Sequence, residues 1–242
     1  MPERIAAIRG KANLALTDMC KSAAEQHVAW SCLVGGGSDH DLGETHGLGC
    51  TIDAHHILAA RHCWTCIRNR YSWPSVFRND GLFRCEVVYE SSVDDIMILK
   101  AIRPIRLTSF PRPSRFPRFH RAEPEIGANI GFIARRIVRN DPTDESEQLD
   151  RDFLSGTISS FLPVGMNRHS HFMITDVVYQ AGSSGAAVFL PDGGIVGVLT
   201  RGVPIQPTHS SGSMEWHTWP VATSILPLIT QIEVALGNDR HA

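Results

Sequence analysis

The sequence predicts an all-β protein. From Val28 onward the chain breaks into short apolar runs punctuated by Gly, Asp, Asn and Pro: VAWSCLV, HGLGCTI and HHILAA in the first half, IGANIGFIA, GTISSF, FMITDVV, AAVFL and IVGVLT in the second. Many short strands joined by Gly/Pro turns read as a sandwich or a barrel. Phe83, Cys85, Val87 and Tyr89 alternate with Arg84, Glu86 and Val88, and Pro191-Asp192-Gly193-Gly194 supplies a hairpin-like turn between two of the runs.

Helices flank this β region. Ile5, Ile8, Ala12, Leu16, Met19 and Ala23 recur three or four residues apart and mark an amphipathic helix over 3–26, within an N-terminal extension 1–27. A first β unit spans 28–102, with the IMIL run at 96–99 short enough for a buried strand. Five prolines and almost no periodicity between Arg103 and Pro124 suit an extended connector, 103–125. A second β unit spans 126–222. The chain closes with a helix and tail over 223–242: Ser224 is positioned to cap it, Pro227 falls in its first turn, Ile225, Leu228, Ile232 and Leu236 form one face, and Gly237 is positioned to end it.

Composition narrows the function classes. The 242 residues are 43% hydrophobic, and 23 Lys+Arg against 25 Asp+Glu give a net charge of −2. A chain of this size buries a core without disulfides or metals, which excludes a stapled mini-protein. No apolar run is long enough to span a membrane, and Arg4, Arg9 and Lys11 interrupt the region where a signal peptide needs an unbroken apolar stretch. A cytoplasmic location is therefore expected, with no membrane partner. All six cysteines lie in the first 85 residues, and reduced thiols are expected for them. Cys63 and Cys66 form a single C-x-x-C without a second pair, and His55, His56, His169, His171, His209 and His217 are expected in turns without the spacing of a metal pair. No metal or cofactor is expected. The arginines at 103, 106, 112, 115, 118 and 121 face an acidic run over 141–152, and a solvated linker rather than a nucleic-acid strip is expected.

Three segments each put a reactive residue at the end of an apolar run: ILAARHC around His62, DDIMILK around Asp95 and AGSSGAAV around Ser184. Amide hydrolysis by a side-chain hydroxyl needs a base to take the serine proton, a carboxylate to orient that imidazole, and donors aimed at the developing oxyanion. The segments supply those parts. Gly182 and Gly185 let the backbone bend sharply around Ser184, so that the amides of Gly182 and Ser184 are able to point into one concavity.

These segments resemble the trypsin/chymotrypsin superfamily of serine peptidases, and within it the bacterial branch of the high-temperature-requirement proteases, with the protease core alone and no PDZ domain expected. The family's Gly-x-Gly strand followed by ILTAAHC is similar to Gly47-Leu48-Gly49-Cys50-Thr51-Ile52 followed by Ile57-Leu58-Ala59-Ala60-Arg61-His62-Cys63. Its Asn-Asp-Ile-Met-Leu-Ile-Lys resembles 94–100, and its Thr-Asp before Gly-Asn-Ser-Gly-Gly resembles Thr175-Asp176 before Gly182-Ser183-Ser184-Gly185-Ala186. The resemblance covers 28–237. It implies two six-stranded antiparallel β-barrels with the site between them, His62 as general base, Asp95 as its orienter with Asp94 as the competing carboxylate, Ser184 as nucleophile, and the Gly182 and Ser184 amides as the oxyanion hole. It further implies a primary pocket lined by Val178, Tyr179, Gln180, Thr200, Arg201, Gly202 and the strand near Trp219-Pro220.

The departures carry expectations of their own. Arg61 replaces a small residue before the histidine, so either its side chain escapes to the surface or the histidine is packed differently. Ala186 replaces a glycine. Ser183 stands where zymogen-activated relatives have an aspartate, so that switch is absent. Val178 stands where Arg/Lys-cleaving relatives have an acid, which argues against that specificity. Relatives bridge Cys63 to a cysteine near Gly47, a bridge this chain lacks. The expected function is an intracellular, bacterial, trypsin-like serine endopeptidase acting on polypeptides and regulated by a protein partner. The alternative is a catalytically silent protease-fold scaffold.

Overall fold

The computed structural model describes residues 23–38, 44–109, 113–137, 149–163, 169–179, 181–204 and 218–240. The apolar stripe before Ala23, Cys20, Gln180, His209, His217 and most of the acidic run lie outside these residues. A helix over 23–30 (α1) leads into β1 (Ser31–Gly37), β2 (Thr45–Thr51), β3 (His56–Ala60), one turn of helix α2 (His62–Thr65), β4 (Trp73–Arg78), β5 (Gly81–Ser91) and β6 (Ile96–Leu107). These strands close into an antiparallel barrel in the order β1-β2-β3-β6-β5-β4. The second half supplies β7 (Asn129–Ile137), β8 (Leu149–Pro163), β9 (His169–Thr175), β10 (Ala187–Phe189), β11 (Ile195–Pro204) and β12 (Thr218–Ser224), which close in the order β10-β11-β12-β9-β8-β7. A 3₁₀ turn at Leu226–Leu228 and helix α3 (Ile229–Arg240) follow. The fold is therefore the expected pair of six-stranded barrels with a helix at each end. No helix among the described residues is long and apolar enough to cross a membrane.

Helix α1 continues through Trp30, past the Val28 at which strand structure is expected from sequence. Tertiary contacts override the local apolar run. The His27 ring stacks on Phe189 with centroids 3.7 Å apart, and the Trp30 indole donates a 2.6 Å hydrogen bond to the Arg115 carbonyl. Likewise β6 does not stop at Ile102 but pairs with β5 as far as Gly81↔Leu107. Pro104 is tolerated because β3 pairs only with residues 96–100 of this strand, and because the β5 register shifts between Leu82 and Phe83, opposite Pro104. The connector is likewise not a free linker: the Ile195 amide donates to the Arg118 carbonyl and the His120 amide to the Ile195 carbonyl, each at 2.8 Å, which ties it to the start of β11. Between it, α1 and the 191–194 turn lies a groove of about 850 Å³ lined by Trp30, Arg115, Phe116, Arg118 and Asp192.

At the C-terminus Ser224 is the last residue of β12, paired with Gly197, and Ile225 rather than Ser224 holds the cap position of the 3₁₀ turn; α3 runs through Gly237 to Arg240. The apolar face is as expected. Ile225, Leu228, Ile232 and Leu236 are buried in one cluster with Ile57, Leu58, Ile98 and Leu99 of the first barrel. Burying side chains of this size contributes about 1.5–3 kcal/mol each, so the helix that ends the second barrel clamps it to the first. The Tyr89 hydroxyl completes the seam by donating to Gln231 Oε1 at 2.8 Å.

Candidate active site

His62 opens α2 directly after β3, and Asp95 occupies the turn between β5 and β6. Antiparallel pairing of these strands, with Ala60 opposite Ile96, sets the two residues beside each other. Asp95 Oδ2 lies 2.6 Å from His62 Nδ1, and Asp95 Oδ1 accepts the His62 amide at 2.9 Å. The Asp95 carbonyl accepts the Arg61 amide at 2.9 Å as well. This clasp requires a left-handed backbone at Asp95, φ +56°, a conformation in which Asp and Asn are among the few tolerated non-glycine residues. Asp94 has a different role: its carboxylate accepts the Ser91 hydroxyl at 2.7 Å, and its carbonyl accepts the Thr223 hydroxyl at 2.8 Å.

Arg61 turns outward and pairs with Glu90, Nε to Oε2 3.2 Å, which leaves the cleft side of His62 unobstructed by its guanidinium. Cys63 points inward, and its thiol reaches the Ser184 carbonyl at 3.5 Å. Burial above all, then the charges of Asp95 and Cys66, push that thiol far above its usual range, so it stays protonated.

Ser184 comes from the loop between β9 and β10, pinned from both barrels. Its carbonyl accepts the Leu48 amide of β2 at 2.7 Å, and the next amide, Gly185, donates to Leu199 of β11 at 2.7 Å. Glycine is required at 185, where φ is +89° and a Cβ would lie 1.8 Å from the Leu48 carbonyl oxygen. Gly182 also has positive φ, +84°. Among the described residues, neither the Gly182 nor the Ser184 amide donates to a protein acceptor, which leaves both available as oxyanion donors. Ser183 and Ala186 are buried beneath the loop.

The Ser184 hydroxyl does not pair with His62 among the described residues. It pairs with Tyr179, Oγ to Oη 2.7 Å. Among the described residues of the expected pocket, Tyr179 alone hydrogen-bonds to the Ser184 hydroxyl. Val178 is 47% exposed, Thr200 is buried with its hydroxyl 3.4 Å from that of Thr223, and Arg201 is exposed on β11. Sequence reasoning missed His171. Rather than a turn, it occupies β9 opposite Thr223; burial and then Arg201 push its pKa down while Asp94 and Asp95 act to raise it. Its nearness to the site depends on β9–β12 pairing between distant segments, for which the sequence carries no local signal.

Among the described residues no group of His, Cys, Asp and Glu is arranged to hold a metal ion. Among the described residues, Cys32, Cys50, Cys63, Cys66 and Cys85 form no disulfide. Gly47 stands against Cys63, since a Cβ at 47 would lie 3.4 Å from the Cys63 Cβ, near the spacing of a disulfide.

No family profile and no curated protein matches the sequence. Solved structures match the fold. Kallikrein-related peptidase 10 aligns with a TM-score of 0.58 at 19% identity, covering 87% of this chain and 96% of that one. Neuropsin, a serine protease of the mouse brain, aligns at 0.58 and 15%, covering 86% and 94%. A serine endoprotease from Yersinia pestis aligns at 0.59 and 17%, covering 90% of this chain and 67% of that one. The chain thus has the two-barrel fold of the trypsin-like serine proteases.

Proposed function

We propose that the protein is a serine endopeptidase that hydrolyses polypeptides through Ser184, His62 and Asp95. The observation that carries this reading is the pair of hydrogen bonds that the Asp95 carboxylate accepts from the ring and amide of His62, beside a serine loop held by both barrels. In the reaction, Ser184 Oγ attacks the peptide carbonyl while its proton passes to His62 Nε2. The Gly182 and Ser184 amides stabilise the oxyanion, and Asp95 stabilises the imidazolium. The proton then moves to the leaving amine as the C–N bond breaks. Water, deprotonated by His62, releases the acyl group and restores the serine.

The resemblance to the bacterial high-temperature-requirement branch and the glycine that faces Cys63 support a bacterial protein working in a reducing compartment such as the cytoplasm. Regulation by a protein partner belongs to the same reading. A second reading, a silent scaffold of protease fold, is favoured by the Ser184 hydroxyl pairing with Tyr179 in place of His62.

An active-site-directed fluorophosphonate separates the two. Covalent labelling of the wild type and not of Ser184→Ala supports the peptidase. Equal labelling of both, or none in either, supports the scaffold.

A further inference from the structure

Tyr179, which the family resemblance implies as a pocket residue, reaches Ser184 with its side chain. Its amide is anchored to the Thr218 carbonyl at 2.7 Å, which fixes its backbone against the start of β12. Its ring lies against Gly202 of β11: a Cβ at 202 would meet Tyr179 Cδ1 at 3.0 Å and the Thr218 methyl at 2.2 Å. From there the side chain extends to the nucleophile, ending with Oη 2.7 Å from Ser184 Oγ. The ring therefore bridges the space between β11 and Ser184, and Thr218 closes its flank.

We propose that Tyr179 sets the substrate class by filling the primary pocket, restricting cleavage to bonds that follow glycine or alanine. This rests on the peptidase reading of Ser184. The substrate side chain is carried by the atom bonded to the carbonyl carbon under attack, so it begins only three bonds from Ser184 Oγ once that oxygen has attacked. The phenol oxygen already occupies hydrogen-bond distance from that same oxygen. Gly or Ala brings at most a methyl group there, whereas Leu or Phe would have to displace a ring whose backbone is fixed. Burial and then the Cys63 thiol push the Tyr179 pKa up, against the opposing effect of the Ser184 hydrogen bond, so the phenol is neutral at pH 7. A neutral phenol can donate to Ser184 Oγ and leave the serine's own proton for His62. The contact is thus compatible with catalysis as well as with selection.

The test compares wild type, Tyr179→Phe and Tyr179→Ala on peptides varied at the residue before the cleaved bond, with fluorophosphonate labelling of each and of Ser184→Ala. Wild type and Tyr179→Phe, which keep the ring, are expected to favour Gly and Ala over Leu and Phe by about tenfold or more in kcat/KM. Tyr179→Ala is expected to improve Leu and Phe by about tenfold or more, chiefly through KM. Wild-type cleavage after Leu or Phe as fast as after Ala overturns the proposal, and that arm stands even if Tyr179→Ala fails to fold. So does a labelled Tyr179→Ala with the wild-type profile. Absence of labelling in every variant overturns the peptidase reading, and this proposal falls with it. The labelling arm therefore separates the two failures.

Discussion

Asp95 holds His62 at two points, its ring at Nδ1 and its main-chain amide, with one carboxylate oxygen on each. Asn at 95 keeps an acceptor for the amide and tolerates the left-handed backbone, but it presents an NH₂ to Nδ1. That fixes the imidazole proton on Nε2, where the serine proton has to go. Asp95→Asn is therefore expected to lower kcat about 10⁴-fold with little change in melting temperature. Asp94→Asn keeps its carbonyl bond to Thr223 and an amide oxygen able to accept the Ser91 hydroxyl, so its kcat is expected to stay close to wild type. Steady-state kinetics on both variants checks the assignment, and an equal loss at 94 and 95 would sink it.

Arg61 makes a partly exposed ion pair with Glu90, and such pairs contribute about 0–1 kcal/mol. Arg61→Ala is expected to shift unfolding free energy by less than about 1 kcal/mol and to leave peptide cleavage essentially unchanged. Urea unfolding together with a cleavage assay tests this. A large loss of activity would mean that the guanidinium acts on His62 after all.

How much of this is legible in the sequence depends on the range of the interactions. Strand punctuation and the three reactive segments are local, and through them His62, Asp95 and Ser184 can be named together. The side chain of Arg61 cannot be followed, because its partner Glu90 lies on another strand. The end of α1 at Trp30, the continuation of β6 past Pro104 and the burial of Ser224 in β12 are likewise decided by distant partners: Arg115, Gly81 and Gly197. Tyr179 enters as a pocket residue only through the family resemblance, and its bond to Ser184 joins two side chains whose meeting no local residue pattern encodes.

Two glycines should respond in opposite directions. A Cβ at Gly47 would lie 2.3 Å from Cys63 Sγ and 2.6 Å from the Ser184 carbonyl oxygen, both buried. Gly47→Ala is expected to cost about 1–3 kcal/mol and to slow fluorophosphonate labelling by shifting the Ser184 loop. Gly237 lies within α3, and a Cβ added there would meet nothing within 4 Å, so Gly237→Ala is expected to stabilise by about 0.5–1 kcal/mol without touching labelling. Thermal melts and labelling rates measured side by side decide the point; a stable, fully reactive Gly47→Ala would mean that the inter-barrel contact yields more easily than its geometry implies.

His27 links α1 to the second barrel and makes that junction sensitive to acid. It is buried, stacked on Phe189, with Nε2 3.0 Å from the Gly193 carbonyl oxygen. Burial lowers its pKa to about 4 from 6.5, against the smaller opposing effect of the Gly193 carbonyl. In the unfolded chain the ring takes up a proton near pH 6.5, whereas in the folded protein it does so only near pH 4. The unfolded state therefore binds more protons between these values. The resulting stability is fully present above about pH 6.5 and is lost as pH falls toward 4, about 3 kcal/mol across the window. His27→Phe preserves the ring stack and removes the titration, so its urea midpoint should change less than that of the wild type between about pH 7.5 and pH 4. His171 is shifted in the same direction, so the difference between variant and wild type, rather than the wild-type slope alone, isolates His27. Parallel pH profiles for the two proteins would mean that His27 is protonated without leaving its site, with the Gly193 carbonyl accommodating the charge.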